Sequence, residues 1–211
     1  MKRVLNMNYF SRFELMHVPK LTMIQTEGET NKGIYILKKG IVKEYRNAEH
    51  GHFVMRIGFE GDIIGYESML YGNKNLNSCL VIENSELYFI PRNVFLDATK
   101  KNKELQLQMM NYLSTKADDL EARMFKIKKN SVIVNFAELL NELCQRHYSK
   151  LIPDIITTSD IADLIGTTKN YIYKVIQKLE DTDIVTFKDR KLRVINRELL
   201  KKLIRNGNSQ R

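Results

Sequence analysis

Eight of the chain's ten glycines fall between Gly28 and Gly72, whereas the stretch from Val94 to Lys128 contains neither glycine nor proline. One kind of element cannot accommodate both textures. Between the glycines lie short alternating or β-branched runs, "GIYILKKGIVKEYR", "HFVMRIGF" and "SCLVIENSELYFI". Glycine supplies the positive φ of tight turns, so the pattern predicts short antiparallel strands closing into a β-roll or jelly roll over residues 18–92. The uninterrupted stretch predicts a long helix. Along it Met110, Leu113, Ala117, Leu120, Met124 and Ile127 fall at alternating steps of three and four, an a/d seam with Lys116, Asp118, Asp119, Glu121 and Arg123 between. That seam predicts a homodimeric coiled coil; the alternative is that it packs on its own β-roll. Leu105, Met109 and Tyr112 lie off part of the seam and can face the roll.

A second helix is predicted in "NSVIVNFAELLNELCQRHY", capped by Asn130 or Ser131, before Pro153 breaks the pattern. With no low-complexity linker, the border between the halves is placed at a hinge near Ile127–Ser131. Then comes "TTSDIADLIGTTKNYIYKVIQKLE". Thr158 or Ser159 can cap a helix burying Ile161, Leu164 and Ile165, and Gly166 permits a sharp turn. Thr167 or Thr168 can cap a second helix burying Ile172, Val175, Ile176 and Leu179. "IVTFKDRKLRVI" comes next as a hairpin with the basic tip Lys188-Asp189-Arg190-Lys191. A helix pair beside such a hairpin reads as a winged helix-turn-helix. The expected fold class is therefore α+β, with a β-roll over 1–93, a long dimerisation helix over 94–129 and a winged helix-turn-helix over 130–211.

Charge supports a polyanion partner. Of a formal +9, residues 126–211 carry 17 Lys+Arg against 10 Asp+Glu, while the first 125 carry 17 against 15. In a helix-turn-helix the outer N-terminal residues of the second helix reach base edges. This assigns Lys169, Asn170 and Lys174 to bases of double-stranded DNA, with Tyr171 and Tyr173 beside them. Thr157, Thr168, Lys188, Arg190 and Lys191 are assigned to phosphate. A dimer would present two such helices about 34–36 Å apart, matching an inverted repeat. No apolar run approaches the roughly 20 residues that cross a bilayer, and the opening "MKRVLNMNYFSRFELMHVPK" is too interrupted by charge for a secretory signal. A soluble, cytoplasmic, non-enzymatic protein with no membrane partner is expected.

The order β-roll, long helix, winged helix-turn-helix over residues 18–204 resembles the cyclic-AMP receptor/FNR (Crp/Fnr) family of bacterial transcription regulators. "ITTSDIADLIGTTKNYIYKVIQKLEDTDIV" is similar to that family's helix-turn-helix signature, and "FEGDIIGYESML" to its G-D-x-x-G turn. The resemblance implies a cyclic-nucleotide-binding-like jelly roll and a DNA-bound homodimer, with RNA polymerase a further candidate partner. Asn170 departs from the family's usual glutamate; asparagine pairs best with adenine, so a different half-site is expected. The corresponding effector cassette reads Gly65-Tyr66-Glu67-Ser68-Met69-Leu70, then Asn77-Ser78-Cys79. Tyr66 takes the place of the family's sugar-binding glutamate, unless the register slips by one to Glu67. Asn77 takes that of its phosphate-binding arginine, which argues against cyclic AMP. An effector pocket, ligand unknown, is placed at Gly65, Tyr66, Glu67, Asn77, Ser78, Met109 and Tyr112. No cofactor is assigned: Cys79 and Cys144 cannot supply the four thiolates of a cluster, and His17, His50, His52 and His147 show no haem spacing. A thiol switch and a regulator needing no signal both stay open.

Two rivals stand beside this reading. In "EHGH" (49–52) His50 and His52 alternate as ligands of a cupin-like metal enzyme would, although Arg56 and Ile57 occupy the places for its carboxylate. The other is a winged module that binds protein.

Overall fold

The structure is a computed structural model describing residues 13–146, 152 and 156–209. The opening Met1–Arg12, His147 and the Pro153 break lie outside the described residues. The chain separates into two compact units, Met1–Asp119 and Leu120–Arg211.

In the first unit the glycine-punctuated runs form strands β1 (Leu15–Val18), β2 (Met23–Gln25), β3 (Gly33–Lys39), β4 (Val42–Ala48), β5 (Gly51–Gly58) and β6 (Ile63–Ile64). Helix α1 (Tyr66–Tyr71) precedes β7 (Ser78–Val81) and β8 (Ser85–Pro91). Two antiparallel sheets result, ordered β1-β8-β3-β6 and β2-β7-β4-β5. Successive side chains on a strand point to opposite faces, so the apolar run of β3 serves two cores. Leu37 joins Val18, Val42, Ile64, Cys79, Val81 and Leu87 in one buried cluster. Ile34 and Ile36 join Ile63, Tyr88 and Ile90 in the other, completed by helical residues Tyr66, Met69, Phe95, Leu105, Met109 and Tyr112. Each such aliphatic side chain contributes roughly 1.5–3 kcal/mol through burial. Leu105, Met109 and Tyr112 thus face the roll as expected.

The long helix differs from expectation in one respect. It is two helices, α2 (Arg92–Lys101) and α3 (Lys103–Lys129), parted at Asn102. Asn102 is extended at φ −122°, ψ 100°, and its Oδ1 accepts the Leu105 amide at 3.1 Å. An asparagine side chain that satisfies an orphan amide starts a new helix as well as a glycine would end the old one. The seam lies on α3. Met110, Leu120 and Met124 are 66%, 59% and 59% exposed, and Ala117 is exposed too. Leu113 leans on the helix-side core of the roll, while Ile127 is half-buried.

The second unit begins inside α3, at Leu120. Lys126 pairs with Glu138 at 3.0 Å and Ile127 lies against Gly166, so the last turns of α3 pack with the helices of the second unit. The other elements are α4 (Val132–Arg146), α5 (Thr158–Ile165), α6 (Lys169–Glu180), β9 (Val185–Lys188), β10 (Lys191–Val194) and α7 (Arg197–Ser209). Ser131, at the expected cap of α4, accepts the Asn135 amide through its carbonyl at 3.0 Å. Phe136, Ala137, Leu140, Leu143, Ile161, Leu164, Ile172, Val175, Ile176, Leu179 and Leu200 are buried in this unit.

Candidate nucleic-acid interface

Helix α5 starts one residue earlier than its predicted caps. Thr157 accepts the Asp160 amide at 3.2 Å, and the Asp160 carboxylate accepts the Thr157 amide at 2.9 Å, a reciprocal capping box. Thr158 and Ser159 follow that cap inside the helix, and the Thr158 hydroxyl donates to Tyr173 instead. Gly166 ends α5 at φ 68°, a left-handed conformation that glycine adopts without cost. Thr168 then caps α6, accepting the Tyr171 amide at 3.3 Å.

This geometry divides α6 into two faces. Ile172, Val175, Ile176 and Leu179 are buried; Lys169, Asn170, Tyr171, Tyr173 and Lys174 are exposed. Tyr173 is also a brace: its hydroxyl accepts from Thr158 Oγ1 at 3.3 Å, its ring lies 6.2 Å from that of Phe187 on β9, and Lys169 Nζ lies 6.0 Å over it. Beyond α6 the hairpin pairs Val185 with Val194 and Lys188 with Lys191. Its two-residue tip holds Asp189 at φ 52° and Arg190 at φ 61°, the positive values a tight hairpin turn demands. Lys188, Arg190 and Lys191 are exposed around that tip, and so are Thr157 and Thr168.

The predicted effector residues lie in the first unit, where Glu67 and Asn77 both interact with Glu44, and Tyr66 and Tyr112 both interact with Arg56. Tyr66, Met109 and Tyr112 meet in the helix-side core, where the two tyrosine rings stand edge to face at 5.3 Å. Tyr112 also accepts the Ile63 amide at 2.9 Å. Gly65 precedes α1 at φ 84°, and Glu67 lies in that helix's first turn. Ser78 opens β7 of the second sheet, and Asn77 lies in the bend just before it. Asn77 Oδ1 accepts Arg46 Nε at 2.8 Å, and Ser78 Oγ accepts the Glu27 amide at 3.0 Å.

A buried charge chain went unforeseen. Glu44, fully buried, lies 2.6 Å from Arg56 Nη2. Arg56 also donates to the Ile63 carbonyl at 2.9 Å and stands 3.8 Å from Asp62, which pairs with Lys116 of α3 at 2.6 Å. Burial pushes the Glu44 carboxyl up to about 7; Arg56 opposes the rise, and the charges of Glu67 and Asp62 add to it. For Asp62, Arg56 and Lys116 outweigh desolvation and hold the carboxyl below its ordinary value. The signal was readable: Val42 and Glu44 alternate on a strand, which puts a carboxylate on the same face as a core valine.

The remaining alternatives fare differently. Cys79 and Cys144 are buried, and desolvation raises both thiols above their ordinary value. The cupin reading required two histidines alternating on one strand. His50 instead lies in the β4–β5 turn, and the His52 ring rests 4.8 Å from Tyr45. No group of three metal-ligating side chains occurs among the described residues.

A β-roll followed by a winged helix-turn-helix with an exposed basic reading face defines a class, the DNA-binding regulators. Residues 15–102 match the cyclic nucleotide-binding domain and residues 136–203 the Crp-like helix-turn-helix domain. The chain belongs to the Crp/Fnr family of transcription regulators. Among its relatives, the regulatory protein HlyX of Actinobacillus pleuropneumoniae is 22% identical over 186 residues, 85% of this chain and 77% of that protein. The fumarate and nitrate reduction regulatory protein of Vibrio cholerae is 20% identical over 182 residues, 83% and 72% of the two chains. In fold, a CRP/FNR-family regulator from Thermus thermophilus superposes with TM-score 0.76 at 18% identity, covering 92% of this chain and 100% of that one. FixK2 from Bradyrhizobium japonicum gives TM-score 0.73 at 19% identity, covering 90% and 96%.

Proposed function

We propose that the chain acts in the cytoplasm as a homodimer, joined through Met110, Leu113, Ala117, Leu120, Met124 and Ile127, that reads an inverted-repeat operator. Lys169, Asn170 and Lys174 contact base edges, with Tyr171 beside them and Tyr173 holding helix to wing. Thr157, Thr168, Lys188, Arg190 and Lys191 contact phosphate. The protein acts by binding, through RNA polymerase at the promoter, and not by catalysis. One observation carries this reading: the outer N-terminal face of α6 is exposed and basic while its inner face is buried. Among the described residues no helix is long and apolar enough to cross a membrane, which fits the proposed location.

Cyclic AMP is not the effector in this reading. Asn77 cannot supply a guanidinium fork to a phosphate, and its side chain is already bonded to Arg46. Instead, Glu44 and Arg56 pair with each other.

Selection of bound DNA from a random pool tests the proposal. Asn170→Ala is expected to change the selected base at one position of each half-site. Lys191→Ala should weaken all sequences alike and reduce the salt slope by about 1. An unchanged consensus with Asn170→Ala would remove that residue as a reader, and salt-independent binding would favour the protein-binding rival. A tenfold change in DNA affinity on adding cyclic AMP would refute the effector reading.

A further inference from the structure

One side chain of α3 reaches the turn of the reading head. Arg123 donates from Nε to the Leu164 carbonyl oxygen at 3.0 Å, and Nη2 donates to the same oxygen. Leu164 lies in the last turn of α5, where carbonyls have no amide of their own helix to accept. The Gly166 amide serves Ala162 and Asp163, and the Thr167 amide also serves Ala162. The Leu164 carbonyl is served by Arg123, whose cation meets the negative end of the helix dipole. Burial lowers the guanidinium's pKa, and the charge of Glu142 on α4 opposes that change. One turn further along α3, Ile127 closes on the same turn: a Cβ on Gly166 would lie 3.3 Å from its Cγ2. Two residues after Gly166 comes Thr168, the cap of α6.

We propose that Arg123 is a positioning residue for DNA recognition, locking the turn before α6 to the long helix so that a dimer holds its two reading heads at a fixed separation. This rests on the dimeric reading above. The link matters for spacing, because one base pair moves a half-site by roughly 3.4 Å and about 35° around the duplex. A rigid link rejects that displacement, and a loose one tolerates it. Lysine is no substitute, since a single ammonium lacks the planar fork that puts two donors on one oxygen.

The test uses the full chain as wild type, Arg123→Gln and Arg123→Lys. Affinity is measured for the selected operator, for the same operator with one central base pair added, and for a single half-site. Wild type is expected to lose at least about tenfold on respacing, as helical-phase recognition requires. Arg123→Gln should bind the half-site within about twofold of wild type while its respacing loss falls below about threefold, with Arg123→Lys between. A full respacing loss in both variants would overturn the proposal. So would half-site binding that falls in step with operator binding, which marks a residue that merely supports the fold. If Arg123→Gln does not fold, Arg123→Lys carries the test: a respacing loss smaller than that of wild type with half-site binding kept is expected, and an undiminished loss overturns the proposal. Wild type without any spacing preference would remove the dimeric reading, and this proposal with it.

Discussion

Replacing Glu44 by glutamine should make the β-roll more stable above neutral pH, although it removes a charge from an ion pair. Glu44 is fully buried, and its carboxyl rises from an ordinary 4.5 to about 7, first because burial strips its water. Arg56 opposes the rise, but its guanidinium is shared with Asp62 and the Ile63 carbonyl. At 1.36 kcal/mol per pH unit the difference amounts to about 3 kcal/mol. Because the folded-state value is the higher one, Glu44's contribution is fully present below pH 4.5, where both states are protonated. It is lost as pH climbs through about 7, since the unfolded chain ionises first. Asp62 shifts in the opposite direction and titrates below this window. A neutral amide of similar shape escapes the penalty and still accepts from Arg56. Urea titrations followed on amide signals of β3, at pH 5 and pH 8, report on this unit alone. The expected result is a gain of about 1 kcal/mol at pH 5 and one approaching about 3 kcal/mol for Glu44→Gln at pH 8. A variant less stable than wild type at pH 8 would show that the Arg56 pairing outweighs desolvation, and would refute the reasoning.

Two further outcomes are expected from the geometry of the seam and the wing. Leu120→Asp with Met124→Asp, on the exposed seam, should yield a monomer by sedimentation and lower operator affinity by roughly 10²–10⁴ through lost avidity; an intact dimer would place the interface elsewhere. At the wing tip, Asp189→Asn with Arg190→Gly relieves two side-chain-bearing residues at positive φ. The denaturant midpoint should rise by an equivalent of about 1 kcal/mol while the salt slope of DNA binding falls by about 1, because one phosphate contact is gone. An unchanged slope would mean that Arg190 does not touch phosphate.

Local patterns carried much of this molecule. Glycine spacing announced the strands, three-and-four periodicity the helices, and Gly166 between two threonine-rich caps the helix-turn-helix. These features act within a few residues along the chain, through φ preferences and capping bonds, so they can be read without knowing what packs against what. Asn102 acts just as locally, yet asparagine interrupts a helix less forcefully than glycine or proline, so its letter alone did not announce the break. The assignment of bases to Lys169, Asn170 and Lys174 likewise depends only on which face of α6 is polar.

What the tertiary structure decided are the partnerships between residues distant in sequence. Asn77 is bonded to Arg46, and Tyr66 turns into the helix-side core with Tyr112; neither fact can be seen in a cassette read letter by letter. Glu44, Arg56, Asp62 and Lys116 form one chain only because β4, β5, the turn before β6 and α3 converge. Their energetics depend on burial, which belongs to the folded surface and not to the residue. Arg123 looked like one more polar residue between seam positions. Its two bonds to Leu164, 41 residues away, come from the packing of α3 on α5. Sequence determined which elements form and what chemistry their exposed faces carry. Tertiary structure determined which charges lose their water and which side chains hold those elements together, because desolvation and long-range hydrogen bonds exist only once the chain has closed on itself.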